Sequence, residues 1–459
     1  MISVSINTKK LNTPQWNILQ HQKSWPISGN WSWKSEKKWM SWNGCWDYRR
    51  KDGRFENSGL CGKNDMSVRT IDECFYQIRN GANIKQGAVD GGYPITRIET
   101  TANDRFNRDR MGYAGITDIK KYENYVLQDG DLLMSHINST QYLGRTVLYE
   151  KQGDEKIIHG MNLLGLKARR DIIIPAYARY CFYSQPFREQ IGRITKKSVN
   201  QASFAVADLK KIKIIVPDLS EQCEVIDILN RVNQVIEDRQ RELRKMDDLI
   251  KARFVELFGN PLDGTAKYPI HQVGEVANSV DPQPSHRTPP VEEGGIPYVS
   301  IKDCDYKTGK IDFEGARKVS PKVLEEHMNR YTLHDGDFVV GKIGTIGNPV
   351  FVPARNDYTL SANVVLVQPN SELVNPYFLK YSFESDFVER QFAEAKNSTS
   401  QAAFGIQKVR TVEVMNPDLD VQREFEIFVK QVNKSKVKVQ KALDETQKLF
   451  DSLMQQYFG

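Results

Sequence analysis

The chain has 459 residues, of which 27% are charged and 39% hydrophobic, and its formal net charge is +6. This length allows two or three domains, and the composition is ordinary for a soluble globular protein. No apolar run approaches the roughly 18–20 residues of a membrane span, and the N-terminus lacks the apolar region of a secretory signal. The six cysteines are scattered without a C-x-x-C pair, so we expect a reducing, cytoplasmic setting. The mild positive charge permits a polyanionic partner without requiring one.

Residues 1–65 have an unusual composition and no helical or strand period. All seven tryptophans lie between Trp16 and Trp46, interleaved with serine, lysine, asparagine and glycine. A poorly ordered extension, or a start codon assigned upstream of a true start at Met66, is the favoured interpretation. The alternative is an accessory module or arm that binds nucleic acid or a partner by aromatic stacking.

Residues 66–459 contain the same unit twice, with the two endings 200 residues apart. A unit of this length is a duplicated domain, because solenoid repeats are far shorter. The best matched segments are Gln201–Val206 with Gln401–Ile406, Val216–Gln222 with Asn416–Gln422, and Leu257–Gly259 with Tyr457–Gly459.

The first part of each unit is predicted to be an α+β globular domain. Asp129-Gly130-Asp131 and Asp335-Gly336-Asp337 each precede an apolar run, which is typical of a turn that leads into a strand. Apolar residues from Val206 onwards lead up to Pro217, and the last of them alternate with lysines as in a half-buried strand. Helix-like stretches at 176–191 and 376–395 complete the pattern.

The second part of each unit is predicted to be a long helix. Ser220 and Asp420 are plausible N-caps, and Gly259 followed by proline ends the first helix. Apolar residues recur at alternating spacings of three and four, which favours a coiled coil between the helices over separate packing of each helix on its own domain. Arg239, Arg253, Lys436 and Thr446 interrupt this seam. The apolar seam residues are Leu229, Val232, Ile236, Leu243, Met246, Ile250 and Leu257 in the first copy and Val429, Val432, Val439, Leu443, Phe450 and Leu453 in the second.

Motifs of catalysis and of cofactor binding are incomplete. The glycine pattern that ends at Lys342 resembles a phosphate-binding loop, but the next residue, Ile343, has no hydroxyl for magnesium. The segment 375–378 lacks one proline of the Asn-Pro-Pro-Tyr loop of amino-methyltransferases, and the start of a helix explains it better. The cysteines and histidines lack metal-ligand spacing. We therefore expect no cofactor and no metal.

Basic and amide side chains collect in the loops of both copies and are the candidates for nucleic-acid binding. Lysine and arginine neutralise phosphates, while arginine and asparagine also read base edges. Any one of them is more often a solvated surface residue, but together they support two binding faces. The candidates are Lys85, Arg97, Arg105, Arg108, His136, Asn138, Arg145, Lys196 and Lys197 in the first copy and His286, Arg287, Lys302, Lys342, Thr345, Lys396 and Asn397 in the second.

Two α+β domains, each followed by a long helix that opens with Pro-x-Leu-x-x-Gln, resemble the specificity subunits of type I restriction–modification systems. The resemblance covers about residues 66–459 and rests on the order of weak motifs that recur in tandem. The supporting segments are Gly130–Ser135, Val216–Gln222 and Phe254–Gly259, with their counterparts Gly336–Gly341, Asn416–Gln422 and Tyr457–Gly459.

The resemblance implies a non-catalytic protein that recognises double-stranded DNA. Each globular domain would be a target-recognition domain that reads one half of a split site. The helices would pair antiparallel and form a spacer that docks two methyltransferase subunits carrying S-adenosylmethionine. It leaves open whether ATP-dependent restriction endonuclease subunits join. The implied organisation is an extension at 1–65, target-recognition domains at 66–218 and 263–417, and spacer helices at 219–262 and 418–459.

Two other functions remain open at this point. The chain could be a scaffold whose two heads bind proteins and have no DNA specificity. It could also be a stand-alone modification enzyme, although the missing cofactor loop and the incomplete Asn-Pro-Pro-Tyr motif count against this. The target sequence and the residues that read bases cannot be carried over from the family, since its recognition loops vary.

Overall fold

The computed structural model describes residues 67–87, 92–198, 201–283, 285, 287–306, 308–342, 345–397 and 405–459. The tryptophan-rich segment and its alternative interpretations lie outside these residues. Contacts divide the chain into two compact units. The first contains the described residues up to Tyr183 together with Phe187–Glu224, and the second contains Ser184–Pro186 and Val225–Gly459.

The first unit is built on a four-stranded antiparallel sheet in the order β2-β8-β5-β7. All four residues of β5 are buried, so both faces of this strand are covered. Three smaller sheets, β1-β11, β3-β4 and β6-β10-β9, surround it. The strands are β1 (Ser67–Thr70), β2 (Phe75–Asn80), β3 (Pro94–Ile95), β4 (Gly112–Tyr113), β5 (Leu132–Ser135), β6 (Ile137–Asn138), β7 (Thr146–Leu148), β8 (Leu163–Ala168), β9 (Lys196–Lys197), β10 (Ala202–Ser203) and β11 (Lys213–Val216).

The second unit repeats this plan, with a four-stranded antiparallel sheet in the order β13-β21-β18-β19. Its sheet β12-β22 corresponds to β1-β11. It also contains the sheets β15-β16 and β17-β14-β20, the last of which covers a second apolar core. The strands are β12 (Ile270–Gln272), β13 (Ala277–Val280), β14 (Ile296–Val299), β15 (Cys304–Asp305), β16 (Lys310–Ile311), β17 (Arg317–Val319), β18 (Phe338–Gly341), β19 (Gly347–Phe351), β20 (Thr359–Leu360), β21 (Val364–Pro369) and β22 (Glu413–Met415).

Local signals explain why the same elements form in both copies. A four-residue helix follows β1 and β12, and each is closed by a capping box, Thr70 with Glu73 and Gln272 with Glu275. The Asp-Gly-Asp turns before β5 and β18 place Gly130 at φ +85° and Gly336 at φ +95°, a region that favours glycine. These turns, and the strands that follow them, confirm the prediction.

The short helices differ from the prediction in their boundaries. Each predicted helical stretch, 176–191 and 376–395, is two helices, because Pro186 fits only the first turn of a new helix and Ser385 precedes the start of another. The run from Val206 also begins as a helix, so only its last part is a strand. The short helices are Ile71–Cys74, Pro175–Tyr183, Gln185–Ile194, Val206–Leu209, Val273–Val276, Pro321–Met328, Pro376–Ser382, Asp386–Asn397 and Ile406–Arg410.

A long helix follows each globular part, Leu219–Phe258 in the first copy and Leu419–Phe458 in the second. The predicted N-caps were wrong, because both helices begin earlier. The Asp218 carboxylate accepts the Glu221 N–H at 2.9 Å. Gly259, at φ +79°, ends the first long helix by donating its N–H to the Val255 carbonyl, as predicted.

Within the second unit the two long helices run antiparallel, as predicted. Arg253, near the end of the first, is 2.6 Å from Glu424, near the start of the second. Asp247, about two turns before Arg253, forms an ion pair with Lys436, about three turns after Glu424. None of the predicted apolar seam residues is exposed. Two of the residues that interrupt the seam, Arg253 and Lys436, therefore form ion pairs across it.

Aromatic side chains join the end of the first long helix to the globular part of the second unit. Phe254 and Phe258 pack against Phe378, with ring centroids 5.7 and 4.7 Å away, and against Phe425 at the start of the second long helix. All four rings are buried. This cluster fixes both long helices to the same core.

Candidate nucleic-acid interface

We call residues 67–216 the first head and residues 270–415 the second head. In the first head, three of the candidates meet on the three-stranded sheet β6-β10-β9, which we call the basic sheet. Cross-strand register puts Asn138 and Lys197 on either side of Ala202, and Ile137 and Lys196 on either side of Ser203. Both lysines are exposed. The sheet therefore combines an amide that can read a base edge with two cations that can neutralise phosphates.

Tyr142 and Arg145 lie beside the basic sheet. The Arg145 backbone carbonyl accepts the N–H of Ser135, whose hydroxyl accepts the Asn138 amide at 3.3 Å. The Arg145 guanidinium lies 4.7 Å from the centroid of the Tyr142 ring, and its Nε is 2.8 Å from Asp104 Oδ1. Asp104 and the ring thus hold the guanidinium in a defined orientation next to Asn138.

A second basic group, Lys85 and Arg97, lies close to the strands β3 and β4. The exposed Arg97 donates from Nε to Gln86 Oε1 at 2.6 Å and rests against Gly112, where a Cβ would meet Nε at 2.3 Å. Lys85 and Tyr113 are both exposed. Their segments are connected by a hydrogen bond from the Gly87 N–H to the Tyr113 carbonyl. An aromatic ring beside two cations is typical of nucleic-acid contacts.

Arg105 is exposed, whereas the candidates Arg108 and His136 make their contacts within the first head. The Arg108 guanidinium bonds both carboxylate oxygens of Glu155 and the Glu150 carbonyl, and it lowers the pKa of Glu155 to about 2. His136 is buried beside Phe204, and burial lowers the pKa of its imidazole. Arg108 and His136 therefore support the head rather than project from it.

The candidates of the second head are spread over several loops. Arg287, Lys302 and Thr345 are exposed, and Lys396 and Asn397 are the last two residues of a helix. His286 lies outside the described residues. Lys342, which occupies the same place after the turn as His136, is buried, and its ammonium is 2.6 Å from the buried Asp281.

Two buried glutamines attach the long helices to the heads, and sequence reasoning did not assign them this role. Gln222 Oε1 accepts the Ile174 N–H at 2.8 Å, and its Nε2 donates to the Pro217 carbonyl. In the second copy, Gln422 Oε1 accepts the Asn375 N–H at 2.6 Å, and its Nε2 donates to the Pro417 carbonyl. The repeated Pro-x-Leu-x-x-Gln motif was the signal for this anchor.

The described part of the chain contains neither a metal-binding cluster nor a membrane-spanning helix. No cluster of three or more histidine, cysteine or carboxylate side chains there could hold a metal ion. Over the same residues, no helix combines the length and the hydropathy that a bilayer crossing requires. The four cysteines in the described residues, Cys74, Cys181, Cys223 and Cys304, are buried thiols.

Comparison with protein families identifies the family of the chain. The model of the type I restriction modification DNA specificity domain matches the chain twice, over residues 63–245 and 267–446. The chain belongs to this family. The two matches correspond to the two copies, and each match includes one head and most of the long helix that follows it. The resemblance seen in the sequence is thereby confirmed.

Individual relatives agree with the family assignment. The chain is 27% identical over 334 residues to a putative type I restriction enzyme MjaX specificity subunit of Methanocaldococcus jannaschii, covering 69% of this chain and 75% of the relative. It is 20% identical over 269 residues to the MjaVIII specificity subunit of the same organism, covering 55% and 63%. A crystal structure of an S subunit from M. genitalium aligns over 87% of this chain and 98% of its own, with 14% identity and a TM-score of 0.48.

Proposed function

We propose that this specificity subunit recognises a bipartite DNA site, with one head reading each half. The single observation that carries the proposal is the duplication: both copies contain a four-stranded sheet of the same order, and both attach a 40-residue helix through a buried glutamine. Two equivalent heads on one chain suit two half-sites. The target-recognition domains would span 66–218 and 263–417.

The long helices would form the spacer between the heads, over residues 219–262 and 418–459. A helix of 40 residues is about 60 Å long, whereas one turn of DNA is about 34 Å. A spacer of this length is compatible with half-sites that are separated by several unread base pairs. The antiparallel pairing, which the ion pairs across the seam support, would keep the spacer length constant.

In the first head, we assign the DNA contacts to the basic sheet and the groups beside it. Lys196 and Lys197 would neutralise phosphates, and Asn138 and Arg145 would reach base edges. Lys85, Arg97 and Arg105 would extend the contact along the backbone. Arg108 and His136 would act inside the head. In the second head, the exposed Arg287, Lys302 and Thr345 are the corresponding candidates.

The chemistry would come from other subunits. Two methyltransferase subunits would dock on the long helices and supply S-adenosylmethionine, and restriction subunits would add ATP-dependent cleavage. This chain would contribute the choice of sequence. Methyl transfer by the purified chain alone, supplied with the cofactor, would contradict this division of labour.

DNA binding by the chain together with its methyltransferase subunits tests the proposal. Binding should weaken steeply with salt, because phosphate contacts release counterions. Replacing Lys196 or Lys197 by alanine should lower the slope of log affinity against log salt by about one each, with little change in sequence preference. Lys151→Ala is the matched control, since this exposed lysine of the same head lies in the loop after β7 and is not part of the basic sheet. Binding that is independent of DNA sequence would instead favour the two-headed scaffold.

A further inference from the structure

A long loop of the second head lies between β13 and β14, and the structure describes its residues 281–283, 285 and 287–295. The loop is fixed at its start by buried polar side chains. Asp281 is buried and forms an ion pair with the buried Lys342 at the end of β18. Its other carboxylate oxygen accepts the Gln283 N–H at 3.1 Å. Because breaking a buried pair leaves an uncompensated charge, this end of the loop has one strongly preferred conformation.

Gln283 connects the loop to a chain of hydrogen bonds inside the head. Its Oε1 is bonded to Nε2 of the buried His327, whose Nδ1 is 2.6 Å from the Thr359 hydroxyl. Thr359 is in turn 2.9 Å from the Tyr331 hydroxyl, which accepts the Leu360 N–H.

One arrangement of protons satisfies every bond in this chain. Tyr331 donates to Thr359, Thr359 donates to His327 Nδ1, and His327 Nε2–H donates to Gln283 Oε1. The amide nitrogen of Gln283 is then left to donate, and it bonds the Ser285 hydroxyl at 2.8 Å and the Arg287 carbonyl at 3.2 Å. Neutral histidine has one N–H and one acceptor nitrogen, so it fits this arrangement without change.

The far side of the loop is also attached to the head. Arg317 donates from Nε to the Pro289 carbonyl at 3.1 Å, and the Glu292 N–H donates to the Lys318 carbonyl. Between these attachments and Gln283, the side chains of Ser285, Arg287 and Thr288 are exposed. A polar, exposed segment anchored by a buried ion pair at one end and by hydrogen bonds to the half-buried Arg317 and Lys318 at the other is what a reading loop requires, since base contacts need a pre-organised geometry.

We propose that Gln283 is a positioning residue that orients the segment around Arg287 and thereby sets which base pairs the second head accepts. This inference rests on the proposed function of the second head as a DNA reader. His327 and Thr359 act through Gln283 and touch no DNA. Since Gln283 bonds the Arg287 backbone directly, its loss should change the direction in which the Arg287 side chain leaves the loop.

Selection from a randomised duplex library by the full complex of chain and methyltransferase subunits tests the inference. Gln283→Ala should reduce discrimination in one half of the selected motif by roughly tenfold to a hundredfold at one or more positions, which corresponds to a lost base contact. The other half should be unchanged. Gln391→Ala is the matched control: this half-buried glutamine of the same head also makes two backbone hydrogen bonds, with Glu413, but it is remote in sequence from the loop.

A second variant separates positioning from folding. Thr359→Val removes the hydroxyl that bonds His327 and keeps nearly the same shape, so it should shift the same half-motif as Gln283→Ala, more weakly. Unchanged discrimination in a folded Gln283→Ala complex, or equal losses in both halves, would overturn the positioning role. Failure of the unaltered complex to select any bipartite motif would instead contradict the proposed function itself.

Discussion

Gln222 and Gln422 occupy the same position in the two copies, and both side chains are 0% exposed. Each bonds the backbone of the segment that precedes a short helix of its head, and each also bonds the proline carbonyl just before its long helix. A single side chain therefore holds the start of the long helix, the last strand and the head in one geometry. Any change at this residue should alter how head and helix are joined.

Replacing Gln422 by alanine should lower the free energy of unfolding by about 2–3 kcal/mol, because it leaves a buried N–H and a buried carbonyl without partners. Urea denaturation of the full chain measures this loss. The control is Gln240→Ala, an exposed glutamine of the first long helix, which should change the free energy by less than about 0.5 kcal/mol. Equal effects of the two changes would show that the buried bonds contribute nothing.

The pair of Arg108 and Glu155 predicts a pH-dependent contribution to stability. The pKa of Glu155 is lowered in the folded chain to about 2, chiefly by the hydrogen bonds from Arg108, against 4.5 for an unperturbed glutamate. Because the pKa of Glu155 is lower in the folded than in the unfolded chain, the ionised carboxylate stabilises the fold above pH 4.5. This contribution is lost as the pH falls towards 2. The difference in unfolding free energy between the unaltered chain and Glu155→Gln should therefore shrink between pH 5 and pH 3. A constant difference would contradict this assignment.

At the residue scale, the sequence predicts the role of a side chain when that role depends on residues close to it in the chain. The turn glycines at 130 and 336 were predicted, because Asp-Gly-Asp before an apolar run specifies its own conformation. Lys342 was predicted as a surface cation, although its partner Asp281 lies 61 positions earlier in the chain. His327 and Gln283, 44 positions apart, were not singled out. Such pairs meet only through the tertiary fold.

At the scale of elements, the cluster of Phe254, Phe258, Phe378 and Phe425 joins the long helices to the second head. Their rings meet edge-on or stacked within 5.7 Å, and aromatic pairs in these geometries add stability beyond the area that they bury. If this cluster loosened, the end of the first long helix would lose its attachment to the core. The rigidity of the proposed spacer therefore depends on these rings.

Phe254→Ala should destabilise the second unit by about 3–5 kcal/mol, because it removes a buried ring and leaves a cavity. Thermal unfolding followed by circular dichroism measures the effect. Val255→Ala, at the neighbouring position whose side chain is 47% exposed, provides the control and should have a small effect. A small effect of both changes would mean that the cluster does not stabilise the unit.

The elements that sequence predicted best are those with a long, repeated period. The two helices and the seam between them followed from heptad spacing, whereas their antiparallel direction followed from the family resemblance. The ion pairs of Arg253 and Lys436 explain why polar residues are tolerated in the seam. The two-residue strands of the basic sheet were not predicted. They are too short to show a period. The pairing of β6 with β10 joins residues about 60 positions apart and therefore depends on the fold of the whole head.

At the scale of the whole molecule, duplication makes two heads and two helices from one unit. The copies share sheet order, turns and anchors, but differ where they would contact DNA. The first head has the basic sheet, whereas the second has the additional sheet β17-β14-β20 and the loop that Gln283 holds. A frame that both copies share, combined with loops that differ between them, is what two different half-sites would require.

Sequencing of the methylated bases in host DNA tests the central claim most directly. Three strains are compared: one with the gene, one without it, and one in which residues 66–218 are replaced by the corresponding domain of a relative with another specificity. The account predicts a bipartite methylation motif that disappears with the gene and changes in only one half after the replacement. A motif that changes in both halves, or methylation that does not depend on the gene, would contradict it.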